Sequence, residues 1–79
     1  MLAVEFTIEP FVEGEPGPHV RAAVDAAERS GLAVDFGPFG TTVEGDDDAV
    51  LAAMDDIVRA AVAAGASRVS LQVVRSAAR

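Results

Sequence analysis

The chain has no cysteine, no lysine, no tyrosine and no tryptophan, and it carries one histidine in 79 residues. Each absence removes a class of chemistry. Without cysteine there is no disulfide, no thiolate nucleophile and no thiolate metal site. Without lysine there is no Schiff base and no phosphate-binding loop of the Gly-Lys-Ser/Thr kind. The single histidine, His19, follows Pro18 in the first turn of a predicted helix, where it either faces solvent or borders a ligand entrance. No Ser-His-Asp arrangement is signalled by spacing. The chain therefore reads as non-catalytic, with no metal and no resident cofactor.

Positive charge is also scarce. Six arginines stand against thirteen acidic residues, for a net charge of −7 and an isoelectric point near 4.3. Nucleic acid is a poor partner for such a chain, because phosphate binding depends on clustered basic side chains and the counterions they release. The excess acid favours a cationic ligand or a basic partner, or simply keeps the domain dissolved. No run approaches the ~18 apolar residues of a membrane span. Met1–Glu5 lacks the basic start and long apolar stretch of a signal peptide. The expectation is a cytoplasmic protein with no membrane partner.

Seventy-nine residues give a single domain, 1–79. A chain of this size buries only about 60% of the surface its unfolded form exposes. Hydrophobic residues nevertheless make up 51% of it, and mean hydropathy is +0.31. With no disulfide or metal to add stability, association with further copies is the remaining source of burial.

The apolar pattern predicts six elements. Leu2, Val4, Phe6 and Ile8 alternate with Ala3, Glu5, Thr7 and Glu9, the period of a strand with one buried face, and Pro10 stops it. Phe11 to Pro18 reads as an exposed loop. Val20, Ala23, Val24 and Ala27 then form a helical stripe that Ser30-Gly31 ends, with Gly31 in the left-handed conformation. Leu32, Val34 and Phe36 alternate in a second strand with these side chains inward, and Gly37-Pro38-Phe39-Gly40 turns the chain into a third, Thr41–Glu44. A second helix follows Asp46-Asp47-Asp48, with a stripe of Val50, Leu51, Met54, Ile57, Val58, Ala61 and Val62, and Ala64-Gly65 ends it. The three aspartates suit a helix start, since consecutive residues there cannot all point at one metal centre. Arg21 and Arg29 lie four residues either side of Asp25, the spacing of surface ion pairs. Val69, Leu71 and Val73 alternate in a last strand, with these side chains expected to face the helices.

The order βαββαβ, with right-handed crossovers, predicts an α+β ferredoxin-like sandwich: a four-stranded antiparallel sheet with two helices on one face. The other face has no cover. It is expected to hold Glu5, Thr7, Glu9, Asp35, Thr42, Glu44, Arg68, Ser70 and Gln72, and a bulge near Gly40 would exchange Thr41 for Thr42.

The stretch Gly37-Pro38-Phe39-Gly40-Thr41-Thr42-Val43-Glu44-Gly45 resembles the Gly-Pro-Met/Phe-Gly-Thr-x-Val/Ile-Glu-Gly segment of the thiamine-binding-protein family. The opening Glu5-Phe6-Thr7-Ile8-Glu9-Pro10 and closing Gly65-Ala66-Ser67-Arg68-Val69 extend the likeness over nearly the whole chain. The resemblance implies a ferredoxin-like fold, a homotetramer arranged as a dimer of dimers, and a small-molecule ligand: thiamine or its hydroxymethylpyrimidine moiety. A carboxylate accepts from an exocyclic amine, a hydroxyl donates or accepts, and an aromatic ring stacks on a pyrimidine. Glu5, Thr7, Phe39, Thr41, Thr42 and Glu44 supply that set. The competing reading has Glu44 paired with Arg68, across the open sheet face or across a subunit interface, and Phe39 in the core. In another class altogether, the chain is an assembly or regulatory module of the ACT kind, whose open face only pairs subunits.

Overall fold

The computed structural model describes residues 1–10, 17–37 and 40–75. Six elements occur in the order β1 (Leu2–Glu9), α1 (Pro18–Arg29), β2 (Ala33–Phe36), β3 (Thr41–Gly45), α2 (Asp47–Ala63) and β4 (Arg68–Arg75). The strands form one antiparallel sheet ordered β2-β3-β1-β4. This is the expected ferredoxin-like α+β fold. The expected loop at Phe11–Pro16, the turn residues Pro38 and Phe39, and the terminal Ser76–Arg79 lie outside the described residues.

β1 is central, and its alternation divides the molecule. Leu2, Val4, Phe6 and Ile8 are buried beneath the helices. There they meet Val20, Ala23, Ala26 and Ala27 of α1, and Val50, Ala53, Ile57 and Ala61 of α2. Alanine on both helices keeps their side chains short, so the helices sit close to each other and to the sheet. Both helices end as predicted. Gly31 has φ +78° and Gly65 has φ +102°, conformations that side chains resist.

Four expectations of burial are corrected. Phe36 is 52% exposed, and Leu51, Val62 and Val73 are also exposed, although the sequence pattern placed all four inside. Phe36 ends an edge strand. On α2 the line Val50, Ala53, Ile57, Ala61 faces the core, and at 100° per residue Leu51 and Val62 fall about a quarter-turn or more from it.

The polar expectations also change. Asp46 occupies the N-cap position of α2, but its side chain makes no capping bond. The working aspartate is Asp47. Its Oδ1, closed to solvent, lies 2.9 Å from the α-amino nitrogen of Met1, and its Oδ2 accepts from Arg75 Nη1 at 3.3 Å. One carboxylate thus ties the start of β1, the start of α2 and the end of β4. Among the described residues, the four-residue-spaced ion pair on a helix is Asp55 with Arg59 at 2.9 Å, not Asp25 with Arg21 or Arg29. His19 reaches the Pro10 carbonyl through Nε2, so it fastens the end of β1 to the start of α1.

Two predictions follow from these fastenings. Nothing stands within 4 Å of a β-carbon added at Gly31 or Gly65, so Gly31→Ala tests the backbone alone. It should cost about 1 kcal/mol, read as a lower urea midpoint with an unchanged m-value. The second concerns Asp47, whose carboxyl is held below its usual pKa by the hydrogen bond from the Met1 amino group first and by Arg75 after it. A lowered folded-state pKa gives stability that is present above the unfolded value of about 3.9 and is lost as pH falls through the folded value. Urea midpoints of Asp47→Asn should lie below wild type at pH 6 and converge on it as the pH falls below about 4.

Candidate functional site

The sheet register decides which candidate residues meet. Thr42 pairs with Glu5 on one side and with Asp35 on the other, and Glu5 pairs with Gln72. One row across the open face therefore runs Asp35, Thr42, Glu5, Gln72. The next row runs Ala33, Glu44, Ala3, Val74 by the same pairings. Thr7 stands opposite Ser70, and Glu9 opposite Arg68. No residue is inserted in β3, so Thr42 and Glu44 face outward with Glu5 and Thr7, while Thr41 and Val43 face the helices. Arg68 lies three rows from Glu44, about 20 Å along the strands, which rules out a Glu44–Arg68 ion pair within one chain.

The open face is acidic and shallow. Among the described strand residues, Glu5, Glu9, Asp35 and Glu44 carry its negative charge and Arg68 its positive charge. A depression of about 220 Å³ lies over Ala33, Val34, Asp35, Thr42 and Glu44. Another, of about 130 Å³, lies over Glu5, Thr7, Ser70, Leu71 and Gln72. Small side chains at Ala3, Ala33, Thr42 and Ser70 leave these hollows.

A more enclosed crevice lies at the other side of the β3 edge, where the end of β1, the hairpin and the first turn of α1 converge. Phe6, Ile8, Val20 and Phe36 give it apolar walls, and Gly37, Gly40, Thr7 and Thr41 complete it. Its cavity of about 20 Å³ has room for a single water. The hairpin is closed there by Gly37 N–H donating to the Gly40 carbonyl at 2.8 Å. The backbone passes close to Gly40: a β-carbon on it would stand 3.2 Å from the Phe6 carbonyl oxygen and 3.6 Å from Glu5 Oε2. The Glu5 carboxylate thus leans from the open face over Gly40, to the rim of the crevice.

Thr41 is the polar residue buried in this region, 3% exposed. It lines the crevice and brings to it a hydroxyl that can donate or accept a hydrogen bond. A ligand atom is the natural complement of such a group.

The six residues named from the sequence therefore divide. Glu5, Thr7 and Thr41 gather around the crevice. Thr42 and Glu44 share the open-face hollow with Asp35, and Phe39 lies outside the described residues. Sequence reasoning missed Phe36, which it placed in the core, and Gly40, which it assigned to turn geometry alone. The signal for Phe36 was its position as the last residue before the Gly-Pro turn, where a strand runs past its helical cover.

Comparisons with known proteins agree with this architecture. A domain of unknown function, DUF77, from Bacillus cereus superposes with a TM-score of 0.72 at 26% identity, covering 95% of this chain and 75% of that one. A hypothetical protein from Methanocaldococcus jannaschii gives 0.71 at 23% identity, over 99% and 84% of the two chains. A Thermotoga maritima protein described as a candidate for thiamine biosynthesis or salvage gives 0.56 at 25% identity, over 92% and 78%. Comparison with curated proteins gave no match. The family described as thiamine-binding protein matches residues 4–76, nearly the full span of the sheet and helices just described, and the chain belongs to that family.

Proposed function

We propose that this protein binds thiamine or its hydroxymethylpyrimidine moiety, without catalysing a reaction on it, as a cytoplasmic homotetramer. The observation that carries the reading is the crevice in which the buried residue Thr41 stands beside two phenylalanines, with the Glu5 carboxylate at the rim. An aminopyrimidine needs that combination. Its ring stacks on an aromatic face, its ring nitrogens accept from a hydroxyl, and its exocyclic amine donates to a carboxylate. In this reading Phe36 supplies the face, Thr41 the hydroxyl and Glu5 the carboxylate, with Thr7 at the rim. The permanent positive charge of the thiazolium then lies toward the open face, where Thr42, Glu44 and Asp35 make an acidic hollow. Phe39, next to Gly40 in the chain, is a further aromatic candidate. Phe36 is half-exposed, so its ring has space to turn and admit a ligand larger than the present cavity. The family match supports a small-molecule role; the choice of thiamine rests on the chemistry of these side chains.

A second reading has one observation in its favour. The crevice admits about one water as it stands, which suits a module whose faces only pair subunits.

Calorimetry and thermal melts with thiamine separate the two. A ligand present at 100 times its Kd adds about 2.7 kcal/mol to stability, an upward shift in Tm of several degrees. No heat and no shift at millimolar thiamine would remove the ligand reading. Thr41→Val should weaken thiamine binding about tenfold, the worth of one hydrogen bond, as read by calorimetry.

The tetramer requires two self-complementary surfaces, and the small residues of the open face offer one of them. If two such faces meet, Thr7→Arg places charge in the contact beside Ser70 and halves the particle from four copies to two. Sedimentation reads this directly. A Thr7→Arg variant that keeps the wild-type mass would show that the face is not an interface.

A further inference from the structure

The groups around the crevice differ in how much choice they leave a ligand. The polar side chains lining it among the described residues, Thr7 and Thr41, are both hydroxyls, and a hydroxyl donates or accepts as its neighbour requires. The hairpin backbone is already engaged there, Gly37 N–H donating to the Gly40 carbonyl. Phenylalanine walls select for a flat ring and not for the direction of a hydrogen bond. Glu5, at the rim, is the exception. An ionised carboxylate only accepts.

The fold holds Glu5 where that restriction matters. β1 is an inner strand between β3 and β4, so the backbone of Glu5 is fixed by Thr42 on one side and by Gln72 on the other. Its side chain runs beside the bare backbone of Gly40, where an added β-carbon would stand 3.6 Å from Glu5 Oε2 and 3.7 Å from Glu5 Cγ. No basic side chain is close enough to take over its charge. Arg68, the described arginine on the open face, stands opposite Glu9, about 13 Å along the strands from the row of Glu5. Arg59 and Arg75 are engaged by Asp55 and Asp47 of α2.

We propose that Glu5 is the specificity-determining residue of the crevice, and that through it the protein selects aminopyrimidines over the corresponding oxopyrimidines. The assignment rests on the aminopyrimidine reading of this crevice and adds to it the class of ring that is refused. The two rings share shape, size and stacking surface, and differ along one edge. The amino form presents an N–H donor beside a ring nitrogen that accepts. The oxo form reverses the pattern, with an acceptor oxygen beside a ring N–H. Thr41 suits both, since its hydroxyl donates to the ring nitrogen of the first and accepts from the ring N–H of the second. Glu5 suits the amine alone. Against the oxo form it sets a carboxylate oxygen facing a carbonyl oxygen, with no proton to share between them. A ligand whose exocyclic amine has been lost to hydrolysis is thereby refused, although nothing in its outline has changed.

The experiment is calorimetry of the full chain with thiamine and with its oxo analogue, in which oxygen replaces the exocyclic amine. Wild type should bind thiamine roughly thirtyfold more tightly, the worth of a hydrogen bond to a charged group. Glu5→Gln keeps the shape of the side chain and supplies N–H donors. It should lose affinity for thiamine, gain affinity for the oxo analogue, and bring the two within about threefold of each other. Thr41→Val should weaken both ligands and leave their ratio as in wild type, which separates a selective contact from a supporting one. Glu5 is exposed in the unliganded chain, so thermal melts of Glu5→Gln should match wild type. If neither ligand binds, the thiamine reading falls and this proposal with it. If thiamine binds and the oxo analogue binds equally well, the selectivity falls and the thiamine reading stands. A preference for thiamine that survives unchanged in Glu5→Gln overturns the assignment to Glu5.

Discussion

Everything in this molecule is indexed to the antiparallel registration of β1 with its two neighbours. A strand has two faces and no third choice, so once Val4 pairs with Val43 and with Val73, every odd and even residue in three strands is assigned. Burial of Val4, Phe6 and Ile8 under two alanine-lined helices fixes that registration, since a slip of one residue would turn Glu5 and Thr7 into the core. The separation of Thr41 from Thr42 is a direct result. Two chemically identical neighbours end up in an apolar-walled crevice and on an acidic face, and the assignment is made by apolar side chains one strand away.

The same constraint explains what was legible beforehand. β1 alternates over eight residues and both helices carry stripes ended by glycine, so the order of the elements and their approximate boundaries could be read from the pattern. The composition of the open face could be read too, because no bulge intervenes in β3. Phe36, Leu51 and Val62 could not be placed, since periodicity reports which way a side chain points and not whether anything lies there to cover it. α2 has more apolar circumference than a single sheet can bury. Asp47 was hidden for a different reason: its partners, the Met1 amine and Arg75, are distant in sequence, and among three consecutive aspartates nothing local marks the one that is used. Of the candidate site, residue identities could be read and their grouping could not, because the grouping depends on Glu5 bending across Gly40.

The surface then separates by chemistry into three regions with little overlap. The open face is acidic and hollowed, the crevice is aromatic with the hydroxyl-bearing Thr41 in its wall, and the β4 margin is apolar and uncharged between its terminal arginines. A small chain with one modest core gains from this separation, since a change in one region need not disturb the other two.

The fastenings of the sheet are unevenly distributed. At the end where Leu2, Gly45 and Arg75 meet, one carboxylate clamps three elements; at the end where Phe6 meets Thr41, the chain makes a turn over a partly empty crevice. The sheet resembles a book bound along one end. Thermal opening should therefore begin on the unbound side, and amide exchange along β3 should slow from Thr41 toward Gly45, so that the residues with room for a guest are also those that open at least cost.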